Sequence, residues 1–339
     1  MELFPVFFLI LRPLCAILKA FKFMKILIPA VLAVACAQPV SACDLCGIYA
    51  PSLTRVETER GPFAGIAEQF THFGTVQVDG HEVADPSGQY LDSSVSQVFA
   101  GYNFNERFGL QFTMPVIYRS FKRPDGAGGI DQGTESGLGD ASLLATFVPY
   151  RHLGDDFSLN WSVLGGVKFP TGNSDRIGEE LNEVENPVGP PSGIHGHDLT
   201  LGSGSYDGII GTGVFTRWHK GFLSANVQYA IRSKGDFDYE FADDLTWSGG
   251  PGFYLALKKK YTLSLQAVVS GEHKNKDTCQ GEQAEDTGLT AVYLGPQLTF
   301  TWRRSLAAYL AVDLPVSLEN TSLQTVPDYR IRAGLAWHF

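Results

Sequence analysis

The 339-residue chain is poor in charge, in cysteine and in recognisable catalytic motifs. Asp, Glu, Lys and Arg make up only 18% of it, against about 25% in ordinary soluble domains. That scarcity suits a chain whose strands are half lipid-facing and whose loops carry the polarity. The five cysteines are Cys15, Cys36, Cys43, Cys46 and Cys279, too few and too scattered for a disulfide framework. No GxSxG stretch, P-loop or HExxH is present, so no motif argues for an enzyme. A second CxxC is also missing, which excludes a four-cysteine zinc site. Gly47 stands where haem attachment to the first CxxC needs histidine. The net charge of −10 argues against nucleic acid as a partner.

What is present begins with a targeting pattern over residues 1–42. From Met24, Lys25 supplies a positive start, Ile26 to Ala37 an apolar stretch, and Val40-Ser41-Ala42 a small-residue cleavage site. The apolar stretch is about half the ~20 residues a membrane-spanning helix needs. Residues 1–23 read as an upstream start or an extended leader. Removing residues 1–42 takes away Arg12, Lys19, Lys22, Lys25 and Glu2, so the remainder is more acidic than the whole. The expected division is a targeting segment (1–42), a short periplasmic segment carrying Cys43 and Cys46 (43–61), and one barrel domain (62–339).

The other end is the strongest strand. In RIRAGLAWHF, the apolar set Ile331, Ala333, Leu335, Trp337 and Phe339 alternates with Arg330, Arg332, Gly334, Ala336 and His338. The closing strand of a bacterial outer-membrane barrel looks like this, because it must pair with the first strand and leave no edge. Such a strand, ending at Phe339, is also the signal that the outer-membrane assembly machinery reads. Alternation of this kind recurs upstream. It predicts strands near 63–76, 92–104, 107–121, 138–150, 157–169, 204–217, 221–232, 242–257, 261–273, 287–302, 305–318 and 327–339. Pro115, Pro251, Pro296 and Pro315 fall inside these strands and predict bulges or strand ends there.

The connections sort by length. Asn105-Glu106, Arg151 to Asp156, His219-Lys220, Lys258 to Lys260 and Arg303-Arg304 are tight. Residues 77–91, 122–137, 170–203, 233–241, 274–286 and 319–326 are longer and polar. Short turns on one side and long loops on the other mark an outer-membrane barrel with periplasmic turns and extracellular loops. Both termini then fall on the periplasmic side. The expected fold is all-β: a transmembrane antiparallel up-and-down β-barrel of about twelve strands.

Facing follows from the cost of charge in lipid. Leu159, Trp161, Val163 and Val167 oppose Asn160, Ser162 and Lys168; Leu263, Leu265 and Val269 oppose Ser264, Gln266 and Glu272; Leu310, Val312 and Leu314 oppose Tyr309 and Asp313. A charge at the lipid midplane costs a few kcal/mol, so the charged face is the lumen. Asp140, Lys168, Glu272, Asp313, Arg330 and Arg332 are the expected lining. Arg330 and Arg332 would favour anions unless Asp313 neutralises one of them. Phe108, Tyr118, Trp247, Tyr261 and Trp302 fit interfacial girdles.

Two clusters point to other chemistry. Cys43 and Cys46 open the expected mature chain, and three fates stay open: a disulfide or free thiols, lipidation of Cys43 after the Val40-Ser41-Ala42 box, or a soft metal. His195 and His197 lie in the long loop with Asp175, Glu179, Glu180, Glu183 and Glu185, a donor set suited to a divalent transition metal. A solvated loop is the plain alternative.

Three stretches resemble one family. GLGDASLLATFVPY (137–150), GGVKFPTGNSD (165–175) and GSGSYDGIIGTGV (202–214) are similar, in order and spacing, to strands of the MetA-pathway of phenol degradation family of outer-membrane transporters. The resemblance covers about a third of the expected mature chain. It implies an outer-membrane barrel that passes small molecules, aromatic or otherwise hydrophobic, by diffusion. It implies no cofactor, and as partners only outer-membrane lipid, the assembly machinery and a small solute. A metal-binding surface protein and a barrel lipid hydrolase are the other classes the residues leave open.

Overall fold

The computed structural model describes residues 60–126, 128–181, 191–303 and 305–339. The expected targeting segment, Cys43, Cys46, Glu183 and Glu185 lie outside the described residues.

Twelve long strands follow the predicted order: β1 (Gly61–Val78), β2 (Tyr90–Asn103), β3 (Phe108–Pro124), β4 (Ser142–Leu153), β5 (Phe157–Lys168), β6 (Asp207–Trp218), β7 (Gly221–Ile231), β8 (Asp244–Leu257), β9 (Tyr261–Lys274), β10 (Leu289–Trp302), β11 (Leu306–Asn320) and β12 (Leu323–His338). Each pairs antiparallel with its neighbour, and β12 returns to β1 with Phe63 opposite His338 and Val78 opposite Leu323. The twelve long strands thereby close into a barrel, the solution that satisfies backbone groups in a membrane.

The alternation sorts the side chains as expected. Large apolar residues such as Phe112, Ile210, Leu265, Leu294, Leu310 and Leu335 are exposed on the outside. Gln69, Gln97, Gln111, Gln266, Glu272, Asp313, Arg330 and Arg332 are buried on the inside. Exposed aromatics gather where the tight turns are: Phe104 stacks on Phe108, and Tyr261 on Trp302.

The four prolines expected to mark bulges or strand ends all sit at ladder irregularities. Pro251 and Pro296 are each unpaired on one side, and Pro315 lies at a register shift. Pro115 marks a break in the wall. The first half of β3 pairs with β4, up to Thr113 opposite Ser142. Its second half pairs instead with a separate strand, Ile130–Leu138, from Val116 opposite Leu138. Between them Pro115 accepts a single bond from Gly139 N at 2.9 Å, on the side where its own missing N–H would point.

Two expectations need correction. Residues 130–138 form a strand where a loop was predicted. They are too rich in Gly, Ser and acidic residues to read as one, and they are held by the register of β3. The predicted loop 319–326 is only the turn Thr321-Ser322, because β12 begins at Leu323. Val326, inside that stretch, is fully buried against Leu289, Ala291 and Tyr293.

Candidate functional site: the lumen and its inward-folded loop

The connection between β5 and β6, residues 169–206, is the longest, and its described parts turn into the barrel. It carries two short helices, α1 (Asp175–Glu180) and α2 (Gly196–Leu199). Apolar side chains pull it in: Ile194 and Leu199 pack with Phe73, Leu91 and Phe121 of the wall, and Leu201 packs with Val95 and Ile117. Burying an aliphatic side chain of this size contributes about 1.5–3 kcal/mol. Its carbonyls are met by wall arginines: Arg119 Nη1 donates to Thr200 O at 2.5 Å and Arg123 Nη1 to Ile194 O at 3.2 Å. Gly193 N donates to Gln89 Oε1 at 2.8 Å, and Thr325 N donates to Gly193 O at 2.7 Å. A cavity remains between loop and wall, lined among others by Phe73, Leu91, Arg119, Ile194, His197 and Lys274.

The base of the loop is a knot made from all three family-like stretches. Asp140 accepts from Gly172 N at 2.9 Å and from Ser203 N at 3.0 Å. Thr171 Oγ1 donates to Gly139 O at 2.8 Å and accepts from Ala141 N at 2.8 Å. Gly172 and Gly202 cross so closely that a Cβ on Gly172 would meet Leu201 O at 2.5 Å and Gly202 Cα at 2.8 Å. Pro-Thr-Gly and the Gly-Ser-rich stretch are thus two stems of one loop, clamped to the wall break by Asp140.

Charge runs on from this knot through a chain of buried pairs. Lys168 Nζ lies 2.7 Å from both Asp140 and Asp207. Arg232 lies 2.8 Å from Asp207 and 3.2 Å from Asp244. Across the lumen lining, Arg330 Nη2 donates to Glu272 at 2.9 Å, where Tyr293 Oη also donates, and Arg332 grips Asp313 with two bonds of 2.6 and 3.0 Å. One register row places Gln266, Gln297, Ala311, Arg332 and Gln69 side by side across five strands.

All six residues expected to line the lumen therefore lie inside, and each is paired with another of the six. The exception to anion preference applies, since Asp313 pairs with Arg332 and Glu272 with Arg330. The sequence reading missed Arg119, Arg123, Asp207, Arg232 and the fully buried pair Lys274 and Asp277, 2.6 Å apart. Arg119 and Arg123 were legible in principle, since they alternate with Tyr118 in β3. Asp207 and Arg232 sit at strand ends, where facing cannot be counted.

His195 and His197 are brought together in the loop, stacked with ring centroids 5.7 Å apart and planes 4° from parallel. His197 Nδ1 is 2.9 Å from Glu180 Oε1, and His195 Nε2 is 3.2 Å from Asp286 Oδ2. Burial alone would push the Glu180 carboxyl up; the His197 imidazolium and its hydrogen bond outweigh this and hold it down to about 2. Burial also works against the charged His197 ring, but Asp198 and Glu180 raise it well above its ordinary value.

Comparison with protein-family models and with curated proteins gives no match. Among solved structures, the COG4313 outer membrane channel from Pseudomonas putida F1 is similar at a TM-score of 0.59 and 15% identity, over 83% of this chain and 96% of that one. The β domain of the Bordetella autotransporter BrkA follows at a TM-score of 0.43 and 10% identity, over 83% and 100% of the two chains. The translocator domain of NalP from Neisseria meningitidis gives a TM-score of 0.42 and 14% identity, over 86% and 92%. At such identities the likeness is one of fold: the chain is a twelve-stranded barrel of the outer-membrane type.

Proposed function

We propose that the chain is an outer-membrane channel through which small molecules diffuse passively, with aromatic or other hydrophobic solutes as the favoured class. The observation that carries this reading is the lumen itself. It is polar and ion-paired, and a loop folds into it that leaves a cavity lined by both Phe73 and Leu91 and by Arg119 and Lys274. Such a lining lets an apolar solute with a polar edge pass, while the outer surface matches lipid. The fold of the Pseudomonas putida channel supports the reading. So does the resemblance of residues 137–150, 165–175 and 202–214 to the phenol-degradation family, which also supplies the solute class. In this reading the barrel stands in the bacterial outer membrane with its tight turns and both termini periplasmic, and is inserted by the assembly machinery acting on β12. It needs no catalytic group and no cofactor.

Planar-bilayer recording tests this directly. Purified protein should give small, discrete conductance steps, and an aromatic carboxylate or phenol on one side should reduce them reversibly. Absence of any steps, both from the native protein and from a variant lacking residues 191–199, would sink the channel reading.

A further inference from the structure

We propose that Glu180, His197 and Asp286 bind one divalent transition-metal ion of the zinc or cobalt class, tying the inward-folded loop to the 275–288 connection between β9 and β10. The three side chains come from two separate connections, yet each offers a ligand atom within 4.8 Å of the others. One imidazole nitrogen and two carboxylate oxygens form the mixed N/O set that such ions take, with donor atoms about 3.3 Å apart when the ion sits ~2.0–2.1 Å from each. Glu180 Oε1 and His197 Nδ1 already stand 2.9 Å apart, and a small outward shift of either admits the ion.

The surroundings have the form that a metal site requires. His197 has its other nitrogen, Nε2, 3.5 Å from Asp198 Oδ1, so a carboxylate lies behind the ring. Glu180 Oε2 accepts from the backbone N of His197 at 2.7 Å, which holds that carboxylate beside the ring. His195 Nε2, 3.2 Å from Asp286 Oδ2, holds the third ligand in place. His197 also lines the cavity between loop and wall. Stacking of His197 on Tyr239 supports the ring from the far side, at a centroid distance of 6.4 Å.

The consequence is mechanical. α1 and α2 belong to the loop that folds into the lumen, whereas Asp286 belongs to a neighbouring connection. An ion between them latches the plug. This inference does not depend on conduction, so it can fail or stand apart from the channel reading.

The test is titration of the detergent-purified full chain with Co²⁺, read by its visible absorption, and with Zn²⁺, read by calorimetry. Four forms are compared: the native protein, C43S/C46S, H197A and D286N. One equivalent should bind to the native protein and to C43S/C46S. Binding should be lost in H197A and weakened at least about tenfold in D286N, on the scale of losing one metal contact. Heat-modifiable migration shows that each form is folded, and D286N keeps the test open should H197A fail to fold. Zn²⁺ should also raise the thermal midpoint of the native protein but not that of D286N. No saturable binding, binding undiminished in H197A and D286N, or binding lost only in C43S/C46S would each overturn the proposal.

Discussion

At the scale of single residues, β12 shows how a period of two is enforced. Ile331 is exposed on the outside, while Arg330 and Arg332 on either side of it are buried within. Replacing Ile331 by Arg should cost about 2–4 kcal/mol if it lies near the bilayer midplane, because the guanidinium then faces lipid. Arg332→Ala fails for the opposite reason. It leaves Asp313, which is fully buried, without its two-bond partner. Removing one member of such a pair costs about 3–5 kcal/mol, whereas an apolar swap of both costs far less. Urea unfolding in lipid vesicles should therefore rank Arg332→Ala below the double variant Arg332→Met/Asp313→Leu. Equal midpoints for the two would mean the pair carries little of the folding energy. Facing was legible at this scale because alternation and the cost of charge in lipid act on every strand. Partners were not, since Glu272 and Arg330 meet across 58 positions of sequence.

At the scale of elements, the loop 169–206 and its knot explain motifs that the sequence displays but does not connect. Gly-Leu-Gly-Asp, Pro-Thr-Gly and Gly-Ser-Gly-Ser lie on three separate stretches, and nothing local says that Asp140 reaches both Gly172 and Ser203. Nor does a polar, glycine-rich loop reveal that Ile194, Leu199 and Leu201 will turn inward, because three apolar residues at irregular spacing carry no period. The strand 130–138 was hidden for a related reason: its composition says loop, and only the register of β3 makes it a strand. Asp140→Ala should loosen the knot without emptying the lumen of counter-charge, since Lys168 keeps Asp207 at 2.7 Å. The expected result is a larger or more frequent open state in bilayer recordings, with the barrel still heat-modifiable. Unchanged conductance would mean that the plug is held by its apolar contacts and by Arg119 and Arg123 alone.

At the scale of the whole molecule, one event makes the barrel: β12 must find β1. The twelve long strands and their order followed from the sequence, because alternation recurs at every strand and errors at one do not spread; the sorting of connections did so only in part, since 319–326 closes to the turn Thr321-Ser322 and 130–138 is a strand. The closure is different, as it joins the two ends of the described chain through a single ladder running from Phe63–His338 to Val78–Leu323. Its last link is Phe339, whose N donates to Pro62 O at 3.1 Å while the ring stays 76% exposed. A ring that exposed contributes little by burial to the folded barrel. Under the proposed function it is instead the residue the assembly machinery reads, at the end of the strand that carries Trp337. Phe339→Ala should therefore leave the unfolding midpoint of refolded protein nearly unchanged, within about 0.5 kcal/mol as for other exposed positions. In cells it should reduce the amount of heat-modifiable barrel recovered from the outer membrane. A variant that is as abundant there as the native protein would place the assembly signal elsewhere in β12, and a variant that refolds poorly in pure lipid would make Phe339 a structural residue after all.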